Sequence, residues 1–372
     1  MPVFLPIQPK KNYCMMSSHP DPQRILTVTD ALKETFDQAM GADERVILLG
    51  LGVADSKGVF GTTLGLVEKY GATRVIDGPA SENAITGIAI GTAILGMRPV
   101  LSHQRFDFSL MSMDQIINNA ANWRYMFGGN TGVPITIRMI VGRGWGQGPQ
   151  HSQNFQALLA HIPGLKVVAP TTAYEFKGLM LASIEDDDPV IFIEQRWLHN
   201  HTSHVPEEPY ILPIGKAHLM KEGNDLTIVA AMDMAIEAMR AAKTLEAQNI
   251  NVEVINLRTI KPFDKEKIIS SVQKTGRLLV VDSGWRSFGI GAEIAAVVAE
   301  EAFGALRGAI RRIGLPDAPT PSSPGLTLHY YPTSITICET VGEMLFVSIL
   351  TDDLKDDSVP HDIPDQRFSG PF

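Results

Sequence analysis

Between Gly142 and Phe155 the chain reads GRGWGQGPQHSQNF, with glycine at every second position as far as Gly148 and then His151 between Gln150 and Gln153. Three kinds of chemistry use such a stretch: a loop that cradles phosphate, a glycine hinge, or a frame that presents His151 to a substrate. A dinucleotide loop needs GxGxxG between a strand and a helix with an acid about 20 positions on, and a nucleotide P-loop needs GK[ST]. Here the glycines recur every two residues and end at Pro149, so phosphate cradling is weakly supported. The segment follows PITIRMI and precedes a helical pattern, which sets it at the carboxyl edge of a parallel sheet, where ligands bind in such folds. In that place it reads as a mobile glycine-rich wall with His151 at its end. A lone histidine is also compatible with a satisfied cap or core residue.

A second stretch, DGPASENAITGIAIG, offers an acid. Ser81 reads as a helix N-cap, which places Glu82 in the first turn, where free backbone N–H groups and the helix dipole favour a carboxylate. Gly87 and Gly91, four apart on that helix, would let another backbone come close. On these residues alone Glu82 is either a first-turn charge or a working acid.

Positioning such groups requires a layered scaffold, and the chain has the length for one. Its 372 residues, 44% hydrophobic and 20% charged, suffice for two α/β cores. Short β-branched runs alternate with helical patterns, as parallel sheets with crossover helices require. Strands are expected at 45–53, 74–77, 98–102, 134–140, 165–169 and 189–194, with helices over SMDQIINNAANWRYMF and YEFKGLMLASIE. The alternation pauses in HNHTSHVPEEPYILPIGKAHLMKEGND, rich in His and Pro, and restarts at LTIVAAM, VEVINL and LLVVD. The expected organisation is an N-terminal arm at 1–25, a first α/β domain at 26–200, a linker at 201–222, a second α/β domain at 223–350 and an acidic tail at 351–372.

Composition excludes several classes. A formal charge of -9 and the lack of any dense Lys/Arg run argue against nucleic acid as a partner. AITGIAIGTAILG, the most apolar run, is shorter than the roughly 18 to 20 residues of a membrane span. Cys14 and Cys338 lie far apart with no CxxC, so neither a disulfide framework nor a zinc site is expected, and a reducing compartment fits. The N-terminal stretch lacks the order of a signal peptide and the arginines of a transit peptide. A cytoplasmic protein is expected, with an organelle matrix left open.

Many segments together carry a resemblance: DGPASENAITGIAIG, FDFSLMSMDQIINNAANWRYMFGG, GPQHSQNFQALLAHIPGLKVVAPTTAYEFKGLM, DDPVIFIE, VPEEPYILPIGKA, INLRTIKPFD and DAPTPSSPG with YYPTS after it. In order and spacing, from about residue 26 to 349, they resemble the β subunit of the first component of 2-oxo acid dehydrogenases, of the pyruvate, branched-chain and acetoin type. This is the transketolase-like thiamin diphosphate family. The resemblance implies two doubly wound α/β domains, a pyrimidine-binding domain followed by a transketolase C-terminal-like domain.

It also implies roles. Glu82 would hydrogen-bond the ring nitrogen of the cofactor's aminopyrimidine, and Phe108, Gln104 and Ala80 would lie against that ring, with Phe108 stacking on it. His151 would bind the oxo-acid carboxylate or move protons during acyl transfer. Some family members hold potassium with groups matching Ile135, Ser183, Asp186 and Asp188; a solvated acidic turn is the other reading of the two aspartates. No GDG motif, the family's anchor for magnesium and diphosphate, occurs in the chain. An α-type partner would therefore supply that half of the site, including Mg2+, in an assembly of two α and two β subunits, with a lipoyl acyltransferase as a further partner and a small 2-oxo acid as substrate.

LSHQRFDF departs from the acidic then apolar lead-in of dehydrogenase β subunits, and Arg105, Arg143 and Trp145 add basic or bulky character suited to an acidic substrate. A surface position for the two arginines is the alternative. A carboligase passing the acyl or ketol unit to another acceptor, a noncatalytic scaffold and a nicotinamide dehydrogenase remain as other readings. The tail, TDDLKDDSVPHDIPDQRFSGPF, reads either as a solvated end or as a spacer presenting Arg367, Phe368 and Phe372 to a partner.

Overall fold

The structure is a computed structural model that describes residues 24–355 and 359–366. The chain divides into two compact units, residues 24–141 with 158–214 and Gly142–Ala157 with residues 215–366.

In the first unit the chain order is β1 (Ile25–Thr27), α1 (Val28–Ala42), β2 (Val46–Gly50), α2 (Leu66–Tyr70), β3 (Val75–Asp77), α3 (Glu82–Ile94), β4 (Arg98–His103), α4 (Phe106–Ser109), α5 (Ala121–Met126) and β5 (Thr136–Val141). It resumes with α6 (Gln156–His161), whose first two residues are counted with the second unit, then β6 (Lys166–Val168), α7 (Ala173–Glu185), β7 (Val190–Gln195) and β8 (Thr202–His204). Parallel strands lie in the order β6-β7-β5-β4-β2-β3. The strands VILLG, TIRMIV and VIFIEQ are buried at every position, because helices cover both faces of a parallel sheet. β2 has β3 on one side and β4 on the other, so the loops after these three strands gather at one carboxyl edge. α7 opens with a capping box between Thr172 and Glu175.

The second unit contains β9 (His218–Lys221), β10 (Leu226–Ala230), α8 (Asp233–Glu246), β11 (Val252–Asn256), β12 (Thr259–Lys261), α9 (Lys265–Thr275), β13 (Leu278–Trp285), α10 (Ile290–Glu301), β14 (Arg311–Leu315), α11 (Pro324–Thr327) and α12 (Ser334–Leu345). Its sheet runs β14-β13-β10-β11-β9, parallel apart from the antiparallel edge strand β9. Ile228, Val254, Val281, Ala238 and Val341 meet in its core.

Several expectations are corrected. The helix expected over SMDQIINNAANWRYMF is a 3-10 turn (Leu110–Ser112), a π-helical stretch (Asp114–Ala120) and then α5. Asparagine amides hold the wide turn open: Asn119 Nδ2 donates to Asp114 O at 3.3 Å and Asn122 Nδ2 to Ile117 O at 3.0 Å, each five residues back. The stretch read as a linker contains β8 and β9. Before residue 215 it is strapped to the first unit, with the Lys177 ammonium on Pro206 O and Glu207 O and the Tyr210 hydroxyl on Tyr174 O. Gly142–Ala157, assigned by position to the first domain, packs with the second unit. The tail is not simply solvated: Thr244 Oγ1 donates to Asp353 Oδ2 at 2.6 Å, and Trp145 N donates to Asp362 O at 3.0 Å. Arg367, Phe368, Phe372 and Cys14 lie outside the described residues, as does the arm up to residue 23, while Ile25 pairs with His204. Among the described residues no helix is long and apolar enough to cross a membrane.

Candidate functional site

In the first unit the carboxyl edge brings together the loops after β2, β3 and β4. Gly78 N donates to Gly50 O at 3.1 Å, Gly52 N to Asp77 Oδ1 at 2.6 Å, and Gln104 Nε2 to Leu51 O at 2.9 Å. On this scaffold Glu82 is the first residue of α3 and half-buried, Ala80 is exposed, and Phe108 on α4 shows 39% of its surface. Ser81 stands at the N-cap, but its side chain makes no capping bond, so the first-turn N–H groups are not consumed by that side chain. Gly87 and Gly91 do not admit another backbone of this chain: a methyl group at Gly87 would meet only the Gln115 side chain, and at Gly91 nothing within 4 Å. The α3 face carrying Gly91 also exposes Ile88 (62%) and Leu95 (71%).

Beneath this edge lies a buried polar layer that the sequence reading passed over. Arg138 on β5 and Glu194 on β7 are wholly buried and paired at 2.5 and 3.0 Å, and Arg138 also donates to Ser102 Oγ and Thr62 Oγ1. The register explains the grouping: Ser102 on β4 faces Arg138, and Glu194 lies two residues beyond Phe192, Arg138's partner on β7. Burial pushes the Glu194 carboxyl up, but the Arg138 charge and the His199 contact outweigh it and hold it below the usual carboxylate range. His199 and His103 are driven down to about 4 by burial, so both imidazoles are neutral at neutral pH. Arg105 is buried at 2% exposure, which overturns a surface position; its guanidinium and that of Arg196 both lie on the Phe60 ring, at 4.9 and 4.8 Å. Burial, then Arg196, lowers the Arg105 guanidinium to about 10.

The second unit contains the glycine-rich segment. It is anchored, not loose. Arg143 is buried at 6%, again not a surface residue, with Nη1 2.6 Å from Asp233 Oδ2 and its guanidinium over the Tyr331 ring at 4.6 Å. Gly144 and Gly148 adopt φ of 73° and 68°, and a methyl group at Gly144 would strike the Asp362 carbonyl. Trp145 sits at φ 38°, a strained value for a side chain of that size. Beyond half-buried His151, Asn154 Nδ2 donates to Ser283 Oγ at 3.3 Å and the Gln156 amide donates to Asp282 Oδ1. Asp233 and Asp282 were not singled out, although each follows the apolar run of a parallel strand, a legible signal.

At the positions matched to potassium, the carbonyls of Ile135 and Ser183 accept backbone N–H groups and the two aspartates are held by protein cations. Val190 N donates to Ile135 O at 2.9 Å, and Ser183 O accepts from Asp186 N. Arg98 Nη1 takes Ile184 O and Asp186 O, Lys166 takes both oxygens of Asp186 at 2.7 and 2.6 Å, and Arg124 binds Asp188 Oδ1. Protein cations already occupy the turn, so it is not a solvated one. Among the described residues no three His, Cys, Asp or Glu side chains gather as a metal site.

Glu82, half-buried at the start of α3, and Phe108, exposed on α4, both follow strand ends on this edge. The chain matches the pyrimidine-binding domain of transketolase over residues 25–200 and the C-terminal domain of transketolase over residues 215–337. It is 41% identical over 322 residues to the pyruvate dehydrogenase E1 component subunit beta of Rickettsia bellii, covering 87% of this chain and 99% of that one. It is 40% identical over 334 residues to the acetoin:2,6-dichlorophenolindophenol oxidoreductase subunit beta of Bacillus subtilis, covering 87% and 98%. The mitochondrial pyruvate dehydrogenase E1 component subunit beta of Pisum sativum is 43% identical over 300 residues, covering 80% and 84%. A solved split-gene transketolase, described as an inactive β4 tetramer, shares the fold with a TM-score of 0.70 at 22% identity, covering 87% of this chain and 99% of its own.

Proposed function

The chain belongs to the transketolase-like thiamin diphosphate family as a β-type subunit, and from that premise we propose that it is the β half of a 2-oxo acid dehydrogenase first component, oxidatively decarboxylating a small 2-oxo acid together with an α-type subunit and passing the acyl group to a lipoyl carrier. When bound, thiamin diphosphate supplies a nucleophilic thiazolium carbon. Glu82, half-buried at the start of α3 on the same edge as the exposed Phe108 ring, is the observation that carries the reading.

Glu82 would hold the aminopyrimidine ring through its carboxylate, sharing a proton with a ring nitrogen and so serving as the acid–base group of the bound cofactor. Phe108 would stack on the ring, and Ala80 and Gln104 would flank it. Gln104 is held in place by its bond to Leu51 O. His151, on the anchored segment, binds the substrate carboxylate or moves a proton during acyl transfer. Magnesium and the diphosphate fall to the α-type partner, since the chain has no GDG motif. The apolar α3 face with Ile88 and Leu95 supports subunit assembly, because such a patch needs cover.

The test is Glu82→Gln in the complex assembled with the α-type subunit. Thiazolium hydrogen–deuterium exchange is expected to slow by at least about a hundredfold, the usual scale for a lost acid–base group, with assembly intact. Unchanged exchange refutes the role.

A further inference from the structure

The glycine-rich segment is fixed to the second unit on both sides of His151 by two buried aspartates, one paired with a buried arginine and the other held by a glutamine amide. Before the histidine, Arg143 pairs with Asp233, the first residue of α8. After it, the Gln156 amide donates to Asp282 near the carboxyl end of β13. Asp233 is 4% exposed, Asp282 5% and Arg143 6%. Asp233 also faces the Ser283 hydroxyl, and Asp282 the N–H groups of Gly284 and Ile290. We propose that Asp282 and Asp233 are positioning residues for His151: Asp233 through Arg143 and Asp282 through Gln156 clamp the segment at both ends, and the firmness of the clamp depends on a proton held by the two aspartates.

The proposal rests on the role given above to His151. Its physical basis is charge matching. Two ionised carboxylates against one guanidinium leave an uncompensated buried negative charge, which is costly until water reaches it. Arg143 and Gln156 both belong to the segment, so water reaches these carboxylates when the segment lifts. A proton on Asp282 leaves Asp233 and Arg143 balanced and keeps Oδ1 as acceptor for Gln156 and for Gly284 N at 2.8 Å. The other groups facing the pair do not supply the missing charge. Tyr331, raised to about 12 first by burial, stays a neutral phenol against Arg143, and Glu237 on α8 adds a like charge to Asp233. The N–H groups of Gly284 and Ile290 favour ionised Asp282, while burial, first, and Asp233 disfavour it, and the balance stands at about 6. The remaining ties, Trp145 N to Asp362 O and Gly144 N to the Tyr331 hydroxyl, involve neutral atoms.

The test is amide hydrogen exchange of residues 142–157 in the full-length chain from pH 5 to 8, corrected for intrinsic exchange. An opened state with an ordinary Asp282 and a closed state near pH 6 give a loss of protection of about tenfold across that range. Asp282→Asn, which mimics the protonated acid, is expected to abolish the step and stay protected at pH 8. Asp233→Asn, which removes the like charge facing Asp282, is expected to shift the step to lower pH. A wild-type chain without the step, or a step that neither variant moves, overturns the proposal; the latter is the signature of another group, such as His151 itself. Should Asp282→Asn not fold, the wild-type series and Asp233→Asn decide. In the assembled enzyme the kcat profile is expected to carry the same step. If His151→Ala shows wild-type kinetics while the exchange step persists, the role of His151 fails and the clamp stands.

Discussion

Arg138→Met tests the buried layer under the cofactor edge. The methionine approximates the aliphatic stem, so the change removes mainly the guanidinium: two bonds to Glu194, one to Ser102, one to Thr62, and a stacking contact with Phe36 at 4.9 Å. Glu194, with no exposed surface, is then left beside His199 at 3.3 Å, and that imidazole is neutral above about pH 4 in the intact protein. Breaking a buried pair at one partner costs about 3–5 kcal/mol, most of it the stranded charge.

The pH dependence follows from the sign of the Glu194 shift. In the wild type the carboxyl sits below its ordinary value, so its stabilisation is complete above the unfolded pKa and is lost as pH falls through the folded one. In the variant, uncompensated burial raises the folded value instead, and the group takes up a proton as pH falls. Urea unfolding of the full chain is thus expected to show the full loss at pH 8 and a loss smaller by about 1–2 kcal/mol at pH 5, one pKa unit being about 1.4 kcal/mol. Arg138→Met with Glu194→Gln removes both charges and is expected within about 2 kcal/mol of wild type, as paired replacement of buried ions usually is. An equal loss in single and double variants at both pH values would refute the electrostatic account and leave packing as the cause.

Two further outcomes are expected. His151→Ala should lower kcat/KM for 2-oxo acid by roughly a hundredfold or more while calorimetry shows little change in thiamin diphosphate binding; wild-type kinetics would return the residue to a structural part. Truncation after Thr351 deletes the Asp353 bond to Thr244, the Asp362 carbonyl that accepts from Trp145 N and the His361 ring nitrogen held at Pro324 O and Thr327. At about 1 kcal/mol for each of these three ties the chain should lose about 3 kcal/mol, and exchange at the Trp145 amide should rise; no change in either would mean that the tail does not seat on this unit in solution.

The strands were legible because a parallel sheet covered on both faces demands unbroken apolar runs, and VILLG, TIRMIV and VIFIEQ are such runs. Short edge elements were not, because β1, β8 and β9 have three or four residues and owe their existence to partners far along the chain. The π-helical stretch escaped for a local reason: its apolar spacing still reads as helical, and only the asparagine side chains betray the wider turn.

Glu82 and Phe108 were offered as site residues by the family resemblance, and each sits just past a strand end, where sequence order and spatial order agree. The partners of Arg143 and Gln156 could not be, because Asp233 and Asp282 lie 90 and 126 residues away from them and only folding brings each pair together. The glycines concealed this further. Their spacing suggests mobility, yet the φ of 73° at Gly144 is what lets the backbone pass against the Asp362 carbonyl, where a methyl group would collide. A glycine that serves close approach and one that serves flexibility are the same letter, and only the packing around it separates them. Here the packing is polar and buried, which makes the segment's order a matter of charge balance at Asp282 and Asp233 and not of backbone freedom.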